Sequence, residues 1–156
     1  MDKHNFLELK IPPVAVFFVF AAILWLLAIA VPTAEVSFPA KKPIAAGAAV
    51  VGGVFAGAGI LSFLRVRTTL DPRAPGKAAS LVTNGVYAIT RNPMYLSLLF
   101  LLAGWAVYLS NLAALVALPL FVTYLNRFQI LPEERALAVL FDSEFQSYCN
   151  RVRRWL

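Results

Sequence analysis

The sequence has very few residues of the types that bind metals or form disulfide bonds. Cys149 is its one cysteine and His4 its one histidine. An internal disulfide and a metal site built from cysteine and histidine are therefore excluded. The chain also has no phosphate loop and no Gly-x-Gly-x-x-Gly motif. Covalent, metal-dependent and Rossmann-type mechanisms are thus without support.

Charged residues are scarce as well. They make up 14% of the 156 residues, whereas 60% are hydrophobic, and the mean hydropathy is +0.74. A soluble domain has about a quarter of its residues charged. The composition predicts one integral membrane domain over residues 1–156. The net charge of +6 lies beside apolar segments, which favours contact with a lipid bilayer over nucleic acid.

The apolar residues predict an all-α membrane protein. Four stretches, at about residues 13–31, 43–64, 93–109 and 112–131, have the composition of membrane-spanning helices. An amphipathic C-terminal helix is expected at about residues 132–150, because apolar residues recur there at spacings of three and four. The pair Asp142-Ser143 is a candidate interruption of that helix.

The basic residues predict the orientation of these spans. With four spans, most lysines and arginines fall on one side of the membrane, and only Lys41 and Lys42 fall on the other. The positive-inside rule then places both termini in the cytoplasm, in a multi-pass protein that we expect in a bacterial inner membrane. The majority side carries Lys3, Lys10, Arg65, Arg67, Arg73, Lys77, Arg91, Arg127, Arg135, Arg151, Arg153 and Arg154.

The second span carries small residues at a spacing of four, namely Ala49, Gly53 and Gly57. Such a face allows close approach of another helix in lipid. We expect that approach to come from within the same chain, and a dimer seam is the alternative. The oligomeric state stays open.

Residues 81–95 run from a polar turn directly into the third apolar span. Gly85 suits the turn, Asn92 stands at the helix N-cap position, and Pro93 suits the first helical position. Met94 and Tyr95 fall in the first turn, beside free backbone N–H groups. This helix start is a candidate site for a polar cofactor. The alternative is an ordinary capped helix in which Tyr87 and Tyr95 are interfacial anchors.

A second polar group ends the fourth span and comprises Arg127, Gln129, Glu133 and Glu134. The short turn Ser110-Asn111 predicts that the third and fourth spans are antiparallel neighbours, so both polar groups should lie close together. Glu133 and Glu134 follow a proline and suit the first turn of a helix, where solvated acids are the alternative interpretation. The available residues favour chemistry that depends on holding two reactants in line.

Two segments resemble one known family. Leu-Val-Thr-Asn-Gly-Val-Tyr-Ala-Ile-Thr-Arg-Asn-Pro-Met-Tyr, residues 81–95, resembles the Gly-x-Tyr…Arg-His-Pro-x-Tyr motif of the isoprenylcysteine carboxyl methyltransferases and the related phospholipid methyltransferases. Glu133-Glu134-x-x-Leu137, followed by Phe141, Phe145, Tyr148 and Val152, resembles the C-terminal segment of that family. Together the two motifs cover roughly residues 79–156 in the family's order.

The resemblance implies an integral membrane methyltransferase that uses S-adenosylmethionine, with an active site facing the cytoplasm. Glu133, Glu134 and Arg127 are the candidate catalytic residues. The position of the family's substrate-binding arginine is Gln129 here, so Arg127 and Gln129 are the candidate substrate contacts. Asn92 replaces the motif histidine, and Asp142 replaces a glycine. By motif position the cofactor contacts are Leu81, Val82, Tyr87, Asn92, Pro93, Met94, Tyr95 and Glu133.

The acceptor is expected to be lipophilic. A carboxylate needs no base, whereas an ammonium must first lose a proton. The missing motif histidine favours the carboxylate of a prenylcysteine-like acceptor. Phospholipid N-methylation is the alternative, with Glu133 or Glu134 as the base. A reductase using a nicotinamide cofactor and a non-enzymatic four-helix membrane module are further alternatives.

Overall fold

The computed structural model describes residues 8–36, 38–66 and 80–156, and in these ranges the regular structure is helical, apart from an isolated bridge between Glu35 and Asn111. The all-α class is thereby confirmed. The predicted basic residues Lys3, Arg67, Arg73 and Lys77 lie outside the described residues. The helices are α1 (Pro13–Ala30), α2 (Lys41–Val66), α3 (Pro93–Leu109), α4 (Leu112–Leu115), α5 (Ala117–Leu125) and α6 (Leu131–Arg151).

Three helical stretches in the described part of the chain are long and apolar enough to cross a membrane. They are Pro13–Ala30, Lys41–Arg65 and the composite stretch Leu112–Arg151. The remaining apolar helix, Pro93–Leu109, has 17 residues, the lower limit of length for a span. The predicted count of four spans and the orientation of the termini therefore stay predictions.

Two prolines shape the composite stretch Leu112–Arg151. Pro119 has no N–H for the carbonyl of Leu115, and α4 ends at that residue before α5 begins at Ala117. Pro132 likewise leaves the carbonyl of Phe128 without its helical donor. The chain accommodates this with a π-helical segment, Asn126–Ile130, and the N–H of Leu9 bonds the Phe128 carbonyl at 3.0 Å.

The π-helical segment lies directly before the helix predicted to begin at about residue 132, and α6 begins at Leu131. Ile130, the residue before α6, has helical backbone angles, so α5 runs through Asn126–Ile130 into α6. Glu133 and Glu134 lie in the first turn of α6, but that turn follows other helix instead of opening from a loop. The predicted position of both acids in the first turn of a helix is therefore confirmed, although that turn continues from the π-helical segment.

Two separate groups of buried apolar residues hold the fold. The bundle core lies between α1, α3, α4 and α5, and its centre has no solvent exposure at Leu24, Leu102, Phe121, Leu125 and Ile130. The C-terminal cluster consists of Phe145, Tyr148 and Val152, with Leu81 and Leu137 packed against it. Along the chain, the buried residues of the bundle core come before Asp142 and those of the C-terminal cluster come after it. Asp142 is the bend in α6, where the sequence predicted an interruption.

Helix α2 packs along α3, but through different glycines from those predicted. A Cβ atom added at Gly52 would lie 2.9 Å from the carbonyl oxygen of Ser97, so only glycine permits this approach. At Gly53 and Gly57 an added Cβ would meet nothing within 4 Å among the described residues. The expected packing of the Gly53 and Gly57 face within the chain is therefore wrong.

Candidate functional site

A cavity of about 390 Å³ lies where the start of α3, the start of α6 and the loop at residues 80–92 meet. We call residues 80–92 the site loop. Gly85 turns this loop with a φ of +64°, in the region that only glycine adopts without strain, as predicted. Helix α3 then begins at Pro93, directly after Asn92. The helix start predicted from Asn92-Pro93 is confirmed, and it forms one wall of the cavity.

The polar end of the cavity contains a carboxylate between two tyrosines. The hydroxyl of Tyr95 donates a hydrogen bond of 3.0 Å to Oε2 of Glu133, and Tyr87 lines the same cavity. Burial raises the pKa of the Tyr87 phenol far above its ordinary range, and the neighbouring Glu133 carboxylate raises it further. Tyr87 therefore stays a protonated, uncharged phenol, and the neighbouring Glu133 carboxylate is the group that can bind a positively charged part of a ligand.

Glu134 has a different environment from Glu133, although both line the cavity. Its carboxylate accepts hydrogen bonds from Arg91 Nη2 at 2.9 Å and from Arg154 Nη2 at 2.6 Å and Nε at 3.1 Å. Both oxygens are thus held by charged donors, in a pairing that includes a fork from Arg154. Glu134 thus connects α6 both to the site loop and to residues 152–156, which we call the C-terminal segment. Glu133 instead lines the cavity with its carboxylate.

The site loop donates hydrogen bonds to main-chain carbonyls of the C-terminal segment. The N–H of Arg91 bonds the carbonyl of Arg153 at 3.0 Å. Nδ2 of Asn92 and Oγ1 of Thr90 both donate to the carbonyl of Arg154, at 2.9 and 3.2 Å. Asn92 is the N-cap residue of α3, as predicted, but its side chain makes no cap bond to that helix. Its amide holds the C-terminal segment instead.

Arg91 completes this connection with its side chain. Its Nη1 donates to the carbonyls of Cys149 and Val152, at 3.1 and 3.2 Å. Nη2 bonds Glu134, and the buried Nε has no partner among the described residues. Arg91 is the basic side chain among the described residues that line the cavity.

The other end of the cavity is apolar. Its walls come from α1, α2 and α3 and include Val14, Ile60 and Leu98, with Phe63 stacked edge-on against Tyr87 at 5.4 Å between ring centres. Val14 and Ile60 are also exposed on the outer surface of the helices. The cavity therefore joins a polar end, suited to a charged ligand, to an apolar end that reaches the lipid-facing surface.

The structure brings most of the predicted site residues to this cavity. Those that line it are Leu81, Val82, Tyr87, Asn92, Met94, Tyr95, Glu133 and Glu134. Pro93 does not line it and is buried under the start of α3. The roles assigned to these residues stay predictions.

The two predicted substrate contacts lie away from the cavity. Arg127 bonds Glu8 at 3.2 Å and is half exposed. Gln129 is fully buried, and its Nε2 donates to the carbonyl of Ile11 at 2.8 Å. Both side chains hold the segment before α1 against the π-helical segment. The geometry gives neither of them a contact with a ligand in the cavity, and it offers Arg91 as the basic group there.

Arg91, Phe145 and Tyr148 line the cavity and were not among the predicted site residues. Phe145 and Tyr148 stood in the matched C-terminal motif, so motif position was a signal for them. Arg91 stood in the other motif, immediately before Asn92. The sequence could not predict which backbone carbonyls Arg91 binds, because every residue type has a backbone carbonyl.

Comparisons with known proteins agree with the predicted family. The profile of the family described as PEMT, phospholipid methyltransferase, matches residues 42–144, about two thirds of the chain. An uncharacterized protein of Haemophilus influenzae is 43% identical over 63 residues, which are 40% of this chain and 100% of that protein. No solved structure matches the chain significantly.

Proposed function

The chain belongs to the phospholipid methyltransferase family, and we propose that it transfers the methyl group of S-adenosylmethionine to a lipophilic acceptor within the membrane. One observation carries this proposal. The cavity places a tyrosine-bonded carboxylate, Glu133, at one end and an apolar wall that reaches the lipid-facing surface at the other. Such a cavity suits one polar ligand and one apolar ligand that meet inside it.

The residues at the polar end fit the cofactor that the family implies. The volume of about 390 Å³ is within the usual range of about 300–1,000 Å³ for small-molecule sites. Glu133 offers a carboxylate to a cationic group of the cofactor, and Leu81 and Val82 offer apolar contact. When bound, S-adenosylmethionine supplies a methyl group on a sulfonium, which needs no enzyme nucleophile for its transfer.

We propose an amine of a phospholipid headgroup as the acceptor. An ammonium must lose its proton before its lone pair can attack. That proton has to leave to water before the headgroup enters, because Glu133 is engaged by the cationic group of the cofactor and Glu134 accepts hydrogen bonds from Arg91 and Arg154. Arg127, which the sequence offered as a carboxylate-binding group, bonds Glu8 instead. The aromatic and apolar walls exclude water from the reacting groups.

The carboxylate of a prenylcysteine-like compound is the second candidate acceptor. It requires a cation in the cavity, and Arg91 is the observation in its favour, since that residue lines the cavity with an unpartnered Nε. Against it, the guanidinium already bonds Glu134 and two carbonyls. An assay with phosphatidylethanolamine and a prenylcysteine acid, each in the same detergent micelles, separates the two.

We further propose the four-span topology with the cavity at the cytoplasmic face of an inner membrane. The cavity lies at the end of the bundle that carries Arg91, Arg127 and Arg135, and cytoplasmic ends of spans are rich in such residues. S-adenosylmethionine is also supplied from the cytoplasm.

The first test is a thermal shift of the detergent-purified protein with S-adenosylmethionine and S-adenosylhomocysteine. A ligand at a hundred times its Kd adds about 2.7 kcal/mol to the stability. We expect both compounds to raise Tm, and Glu133→Gln to abolish the shift without lowering the Tm of the free protein. Glu144→Gln, which changes an exposed acid of α6, is the matched control. No shift at millimolar ligand from folded protein would contradict the proposal and favour a reductase or a non-enzymatic module.

A further inference from the structure

The part of the chain after Asp142 is both a wall of the cavity and a separate packing unit. Asp142 has φ 35° and ψ −110°, which ends regular helix geometry inside α6. Beyond it, Phe145 and Tyr148 line the cavity and also form the C-terminal cluster with Val152. Residues 143–154 therefore cover the polar end as a unit separate from the bundle core, whereas Trp155, directly after them, packs against that core.

Polar contacts hold this covering segment to the site loop. The carbonyls of Arg153 and Arg154 accept the bonds from the site loop, and the hydroxyl of Tyr148 donates to the carbonyl of Tyr87 at 2.7 Å. Arg154 contributes twice, because its carbonyl accepts from the site loop while its guanidinium binds Glu134. Among the described residues that follow the end of α6, Arg154 is the arginine whose side chain bonds back to that helix.

We propose that residues 143–154 form a lid over the polar end of the cavity, between the bend at Asp142 and the fixed Trp155, and that Arg154 is the positioning residue that keeps this lid closed. The inference rests on the proposed function for the identity of the ligand beneath the lid. In each turnover a polar product, S-adenosylhomocysteine, has to leave towards water. The apolar end opens to the lipid-facing surface and is unsuited to that exit, so the lid is the wall that has to move.

The bonding pattern explains why the lid can open without loss of the fold. Its polar contacts with the site loop are hydrogen bonds, which water can replace, and its apolar cluster has three buried residues packed against Leu81 and Leu137, whereas the larger bundle core is held by packing within the helices. Glu134 also retains Arg91 as a partner when Arg154 withdraws. When the lid opens, the buried carboxylate of Glu134 therefore still has a cationic partner. Asp142 provides the bend at which the two halves of α6 can change their angle.

The lid is tested by the rate at which S-adenosylhomocysteine dissociates, measured by stopped flow on Arg154→Ala, Arg154→Lys and Arg151→Ala. Arg151 is exposed and bonds Ser147 of its own helix, so its variant removes the same charge without touching Glu134. We expect dissociation to be about tenfold faster in Arg154→Ala, the effect of losing one charge-assisted pair. Arg154→Lys should recover part of the wild-type rate, and Arg151→Ala should match wild type.

Equal rates in Arg154→Ala and Arg151→Ala would overturn the proposal, because charge alone would then explain the effect. So would a large fall in the Tm of ligand-free Arg154→Ala, which would show that Arg154 serves the whole fold. The partial rescue by lysine is the readout that a purely structural role would not produce.

Amide hydrogen exchange without any ligand separates this proposal from the proposed function. Peptides covering residues 80–92 and 143–154 should exchange faster in Arg154→Ala than in Arg151→Ala, because the N–H of Arg91 loses its hold on Arg153. Faster exchange in a protein that binds no S-adenosylhomocysteine would support the lid and contradict the proposed cofactor. Unchanged exchange with normal cofactor binding would overturn the lid and leave the methyltransferase proposal standing.

Discussion

The bundle core and the C-terminal cluster are held together by different forces. In the bundle core, Phe121, Leu24 and Leu102 are completely buried and are held by apolar packing. The C-terminal cluster has a smaller apolar core of three buried residues, and hydrogen bonds such as that from Tyr148 to Tyr87 join it to the site loop. Stability therefore belongs mainly to the bundle, and the geometry of the cavity depends on the polar seam between site loop and C-terminal segment.

The largest expected effect comes from the bundle. Phe121→Ala removes a ring with no solvent exposure that stacks edge-on against Phe20, and should lower the stability by about 3 kcal/mol. Thermal unfolding in detergent measures the loss. The matched control is Phe18→Ala, whose ring is 64% exposed on the lipid-facing side. An equal loss in both variants would show that α1 and α5 do not pack as described.

The seam should respond with a smaller loss of stability and a larger change in the site. Tyr148→Phe deletes the donor to the carbonyl of Tyr87 and leaves that acceptor buried, at a cost of about 2 kcal/mol. Amide exchange should rise in residues 80–92 and stay constant in α1 and α3. Tyr108→Phe removes a hydroxyl from an exposed ring of α3 and should change neither. Faster exchange throughout the bundle would erase the distinction between the two regions.

Trp155 connects the C-terminal residues directly to the bundle core. Trp155 packs against the bundle core, and its Nε1 donates to Oδ1 of Asn126 at 3.1 Å. Trp155→Phe keeps most of the packing and removes the donor, so it should cost about 1 kcal/mol. Asn126→Leu should produce the same loss, and the double variant should cost no more than either alone. Additive losses in thermal unfolding would show that the bond contributes nothing.

The smallest expected effect is a gain. Asp142 has a positive φ, which costs a residue with a Cβ atom about 1 kcal/mol relative to glycine. Asp142→Gly should therefore raise the stability by about that amount. Ser143→Gly at the next position, which is helical, should lower it by about 0.5–1 kcal/mol. Loss of stability in both variants would mean that the side chain of Asp142 is needed at the bend.

Local signals predicted the start of the site well. Asn92-Pro93 began α3, Gly85 turned the site loop, and the glycine position taken by Asp142 has a positive φ. Each of these depends on the conformational limits of one or two residues, which the sequence states directly. The grouping of Tyr87, Tyr95 and Glu133 followed from motif position and from the short connection between α3 and α4.

The errors have one physical cause, which is competition between local and distant partners. Pro132 is a good first-turn residue, but here it lies within a continuing helix whose π-helical segment adds a residue to the turn. That extra residue changes which side chains share a face, and Arg127 and Gln129 lie away from the cavity. Asn92 suited a cap, yet the carbonyl of Arg154, 62 positions away, takes its amide.

The separation of Asn92 and Arg154 along the chain has a consequence for the order of folding. The bundle also pairs distant segments, such as Phe20 of α1 with Phe121 of α5, but both of these are synthesised before Arg154, the partner on which the site loop depends. Contacts between distant segments form late, because the intervening chain must be ordered first. The polar end of the cavity is therefore expected to close only after the bundle has assembled, so that binding competence reports a completed fold.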